Sequence, residues 1–134
     1  MLEPIECILW KDKPLAYIIR AEFAPEQTTF LTSPELNFQA GFVAYPAGGE
    51  IGRHVHRPLE RHIVGTSEVL VVRKGRCIID IYNDDQEKVA SPELAVGDVV
   101  LLLGGAHGFR MLEDTVFFEV KQGPYLGTGE KEQF

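Results

Sequence analysis

The chain has 134 residues, 45% of them apolar and 25% charged, with Lys+Arg 13 against Asp+Glu 20 and a net charge of −7. That composition fits one globular domain and excludes a chain that is mainly disordered. An acidic balance argues against a duplex-DNA partner, and no apolar run approaches the ~20 residues of a membrane span, so neither nucleic acid nor membrane is an expected partner. The opening segment, Met1 to Pro14, carries no basic stretch leading into an apolar one, and two cysteines, Cys7 and Cys77, are too few for a disulfide framework. A cytoplasmic setting is expected. The charge is uneven: from Arg53 to Arg76 six basic residues face two acids, a local +4, which leaves −11 for the remainder. Such an island is either a solvated face or an attraction for a small anion.

In chain order, Leu15 to Phe23 reads as a strand, Pro25 to Leu36 as loop with at most one helical turn, and Gln39 to Tyr45 as another strand. Glu68 to Tyr82 holds two β-branched runs around Lys74-Gly75, which predicts a hairpin with a positive φ at the glycine. Asn83-Asp84-Asp85 is the next turn. Val99 to Leu103 is apolar on both faces and reads as an interior strand that Gly104-Gly105 ends. Val116 to Lys121 is the last strand, closed by Gly123-Pro124. Short strands at intervals of 8–12 residues predict an all-β sandwich or barrel.

His54-Val55-His56 is the first candidate for chemistry. On a strand, residues i and i+2 point the same way, so the two imidazoles can converge on one ion; two surface histidines are the alternative. Around the pair, Gly48 lies six positions before His54, and Glu68 lies seven before Gly75. Downstream follow Gly97-Asp98, the Val99–Leu103 run, and Gly105-Ala106-His107-Gly108-Phe109.

This order resembles the two signature motifs of the cupin superfamily over residues 48–109. The resemblance implies a single-domain jelly-roll β-barrel over 38–125, with an N-terminal extension over 1–37 packing on the barrel or on a dimer partner, and a tail over 126–134. It implies His54, His56, Glu68 and His107 as metal ligands. Three imidazoles and a carboxylate suit Fe, Mn, Ni, Cu or Zn and leave positions open for water or substrate. Leu70 and Val72 share the face of Glu68, and Phe109 and Met111 that of His107, which places these ligands on an apolar interior surface.

The chain departs from the motifs at three places. Glu68 follows His56 by more residues than is usual, whereas Glu60 stands at the short spacing with Ser67 where the glycine belongs. Glu68 is preferred for its strand and closing glycine, and Arg57 to Ser67 then form an inserted loop. The usual proline near Leu103 is replaced, and Met111 stands where an asparagine is common.

Other residues are placed around this set. Arg53 and Arg57 alternate with the histidines and point away; Arg61, on the inserted loop, is the candidate for an anionic substrate, and His62 reads as a solvent-exposed loop residue. Phe109, Met111 and Lys121 complete the candidate substrate contacts. Glu119 to Tyr125 resembles the closing segment of small cupin-fold metalloproteins that accompany sugar and surface-polysaccharide genes in bacteria. Phe117, Glu119 and Lys121 share one strand face, and burial cost favours turning Phe118 and Val120 inward instead. The expected function is a metal-binding enzyme on a small polar or anionic molecule, either a sugar or sugar-nucleotide isomerase or epimerase or a dioxygenase. The alternative is a non-catalytic small-molecule or metal-binding sensor. A homodimer is expected, because such sheets leave edges for a second copy to cover.

Overall fold

A computed structural model describes residues 3–134 and divides the chain into two compact units, one of residues 3–21 with 66–134 and one of residues 22–65. The architecture is all-β, as expected. Among the described residues the only helical element is a 3-10 turn over Gly127–Glu130, and no helix is long and apolar enough to cross a membrane.

The larger unit holds two antiparallel sheets. In the first, β1 (Ile5–Trp10) and β2 (Lys13–Ile19) form a hairpin through Lys11 and Asp12, both at positive φ. β2 then pairs with β9 (Val99–Leu102), β9 with β5 (Glu68–Lys74), and β5 with β11 (Val116–Lys121), giving the order β1-β2-β9-β5-β11. In the second, β6 (Cys77–Tyr82) pairs with β10 (Ala106–Met111) on one side and with β7 (Lys88–Ala90) and β8 (Glu93–Leu94) on the other. Ala16, Ile18, Leu70, Val72, Val100 and Leu102 from the first sheet meet Cys77, Ile79, Ile81 and Leu94 from the second in one buried core. Among the described residues neither sheet closes into a barrel.

One local expectation changes here. Glu68 to Tyr82 is not a hairpin: β5 and β6 belong to different sheets, and the chain crosses between them at Gly75-Arg76. Gly75 does take positive φ (85°), but a Cβ there would lie 2.1 Å from the Asp114 carbonyl oxygen, so the glycine serves close backbone approach at a crossover. Residues 5–19 supply two strands of the main sheet, and residues 22–37 fall in the other unit; Met1 and Leu2 lie outside the described residues.

The Gly97-Asp98 turn ties the ends of β2 and β9 together. Asp98 accepts from the backbone N–H of Ala21 and Ala95 and from Arg20 Nη1 at 3.0 Å, and all three bonds are made by a buried carboxylate. In the smaller unit, β3 (Thr29–Phe30) pairs with β4 (Gly41–Phe42), far shorter than the strand expected over Gln39 to Tyr45. Thr32 Oγ1 donates to Gln39 and accepts from the Ala40 N–H, and Phe23 meets Phe42 edge to face. Residues 43–65 contain no strand.

On the second sheet's outer side, buried Asp80 accepts two bonds from Arg110 at 2.8 Å each and one from Ser91 Oγ at 2.6 Å. These bonds to Arg110 and Ser91 hold its carboxyl well below the usual aspartate range. A lowered value in the folded state means stability that is complete above the ordinary aspartate value of 3.8 and is lost as pH falls below it. Asp80→Asn should cost ~1–3 kcal/mol at neutral pH, read by urea unfolding. The loss should shrink as the pH is lowered; a gap constant from pH 7 to pH 2 contradicts the assignment.

Candidate functional site

Strand register fixes which polar groups face the core. On β5, Glu68 is in line with Leu70 and Val72 and pairs across β9 with Leu102 and across β11 with Lys121; Glu119 pairs with Leu70. On β10, His107 and Phe109 lie opposite Ile81 and Ile79. One end of the inner surface therefore carries Glu68, His107, Glu119 and Lys121. Phe109 and Phe117, with ring centroids 4.8 Å apart, adjoin them against the core, and His107 meets Phe109 edge to face at 5.9 Å.

This overturns the expectation that Phe118 and Val120 turn inward: they are 57% and 47% exposed, and Phe117 packs on the core instead. Phe118 and Val120 lie opposite Val71 and Val69, so the outer face is apolar too and gives them neighbours there.

The electrostatics follow from the packing. Glu68 Oε1 is 3.7 Å from His107 Nε2, with the glutamate side chain 17% and the histidine 28% accessible. Burial, and then a hydrogen bond with Glu119, push Glu68 up to about 7. The same hydrogen bond draws Glu119 below the ordinary glutamate range, so below about pH 7 the two carboxyls hold one proton between them. Burial lowers His107 below the ordinary imidazole value of 6.5. With Glu68 raised and His107 lowered, both shifts work against an ion pair between the two groups. Lys121 Nζ lies 5.1 Å over the Tyr125 ring and 3.6 Å from Glu130 Oε2.

The remaining expected residues lie elsewhere. Met111 is at the far end of β10, four residues or ~13 Å from His107, and takes no part in the cluster. His54, His56, Arg61 and Glu60 lie in the smaller unit, in the exposed stretch that has no strand, so strand alternation does not orient the histidine pair. Their imidazoles nonetheless approach, with ring centroids 5.2 Å apart. His54 Nδ1 lies 2.8 Å from the Gly52 carbonyl, which can only accept, so Nδ1 donates in that bond.

Both pairs suit metal chemistry as donors. An ion with tetrahedral bonds of about 2.1 Å sets adjacent donors about 3.4 Å apart, close to the Glu68–His107 separation. The His54 Nδ1–H···O=C bond is the kind of outer partner that orients a ligating imidazole. Among the described residues no three or more His, Cys, Asp or Glu side chains are gathered into a metal-holding group. Glu119, Tyr125 and Glu130 are the cluster members that the sequence did not single out as a site. Glu119 was legible in principle from Phe117, since the alternation that buries the phenylalanine carries residues 119 and 121 with it.

Comparison with protein-family models, with curated proteins and with solved structures gives no match for this chain.

If Glu119 holds up the Glu68 value, Glu119→Gln in chelator-treated protein removes the neighbouring negative charge and lowers it. Carboxyl NMR titration should move the Glu68 midpoint from about 7 toward the ordinary 4.5; an unmoved midpoint means that burial alone sets it.

Proposed function

We propose that the chain is a metal-dependent enzyme of cupin type, a jelly roll that acts on a small polar or anionic molecule by proton transfer. In this reading Glu68 and His107 supply two of the ligands of the ion, one of Fe, Mn, Ni, Cu or Zn. The observation that carries the reading is the approach of Glu68 Oε1 to His107 Nε2 on the core-facing surface, at a separation suited to two ligands of one ion. When bound, the ion supplies Lewis acidity toward a carbonyl or enediolate oxygen.

Isomerisation or epimerisation of a sugar or sugar nucleotide is favoured over oxygen chemistry by what flanks the pair. Glu119, the carboxylate beside Glu68, is the proton acceptor on this face, and Lys121 offsets developing negative charge. Phe109 and Phe117 form the apolar wall against which a small molecule rests. A homodimer is the proposed assembly.

The test is direct titration of chelator-treated protein with Zn(II), Mn(II) and Fe(II). One ion per chain is expected, with Glu68→Ala and His107→Ala each weakening it at least about tenfold and Glu60→Ala leaving it unchanged. Wild-type affinity in His107→Ala would overturn the reading. Oxygen uptake with Fe(II) in place of isomerisation would assign the site to dioxygenase chemistry, and metal binding without turnover to a sensor.

A further inference from the structure

The segment after β11 folds back onto the cluster just described. Glu130, on the 3-10 turn, places Oε2 3.6 Å from Lys121 Nζ, and the two side chains are only 12% and 19% accessible. Tyr125 stacks on the same ammonium. Lys131 is near enough to act electrostatically on Glu68, Glu119 and His107, and Phe134 meets Tyr82, the neighbour of Ala106 on β10, edge to face at 5.2 Å. Residues 125–134 thus lie against the strand ends that carry Glu68, His107 and Lys121.

The contact is imperfect in one informative respect. Glu130 Oε2 is desolvated yet has no hydrogen-bond partner, because 3.6 Å is beyond hydrogen-bonding reach of Lys121. A buried carboxylate oxygen that lacks a hydrogen bond loses its hydration without full replacement. The fold therefore holds a carboxylate at a partly buried lysine, weakly enough for a better-placed one to exchange with it. Lys121 has no other acidic side chain within ion-pairing distance among the described residues.

We propose that Lys121 is the carboxylate-binding residue of this site, and that Glu130 occupies it as an internal stand-in which a small carboxylate must displace. The substrate class narrows from a small polar molecule to one bearing a carboxylate, and residues 125–134 become a strap that opens on binding. The inference rests on reading the inner face as a ligand site; it does not depend on the metal.

The probe is acetate, with chloride at equal ionic strength as the control, followed by amide NMR on chelator-treated full-length protein. Working without metal keeps the outcome independent of the ligand assignment. Acetate is expected to shift the Gly127 to Glu130 amides and to sharpen those of residues 131–134 as the strap is released. Removing the competitor in Glu130→Gln should tighten acetate binding roughly fivefold or more, because the open state no longer competes with an internal ion pair. Lys121→Met should abolish the acetate-specific shifts while preserving the dispersed spectrum of the folded sheets. Equal acetate affinity in wild type and Glu130→Gln, or acetate binding that survives Lys121→Met, would overturn the proposal.

Discussion

The desolvation of Glu68 is the constraint on which the rest of the arrangement depends. Its strand, β5, is an interior strand of a five-stranded sheet, flanked by β9 and β11, and its inward-facing row continues through Leu70 and Val72 into the core. A carboxyl at the head of that row faces apolar surroundings, so either it keeps a proton or it acquires a partner. The protein does both: Glu119 shares the proton, and His107 and Lys121 stand on either side. Groups that would be scattered on an ordinary surface are drawn to one end of the inner face by that single placement.

The surrounding fold makes the placement rigid. Asp98 fastens the ends of β2 and β9, and the register of β9 against β5 sets Leu102 opposite Glu68. On the second sheet, the Asp80–Arg110 pair ties β6 to β10 from the outer side, and this holds the strand that presents His107 from the inner one. Neither tie contributes chemistry, but together they fix the two strands whose side chains meet at 3.7 Å.

The sequence carried much of this and misled on the rest for identifiable reasons. The interior strand after Gly97-Asp98, the turn at Asn83 and the last strand were legible because their punctuation is local. Lys74-Gly75 was misread because a positive φ serves a hairpin and a sheet crossover alike, and only long-range pairing tells them apart. The His54-Val55-His56 strand failed because Pro46, Gly48, Gly49, Gly52 and Pro58 crowd the segment, and such residues interrupt a ladder. The inward turn of Glu119 and Lys121 was hidden by an outer face as apolar as the inner one. Glu130 was beyond reach, since nothing local marks a turn that folds back onto a strand end.

A carboxyl kept in apolar surroundings costs stability, and an account that assigns Glu68 to ligand chemistry expects that cost to be visible. Its raised value in the folded state means that the wild-type protein loses stability as pH rises from 4.5 toward about 7. The decisive measurement is the urea unfolding free energy of Glu68→Gln against wild type at pH 8, in the presence of chelator. The account predicts that the variant is the more stable by at least ~1 kcal/mol, since it removes a buried charge beside Glu119 and keeps a hydrogen-bonding group in its place. A variant that is equally or less stable would show that Glu68 belongs to the scaffold rather than to a site.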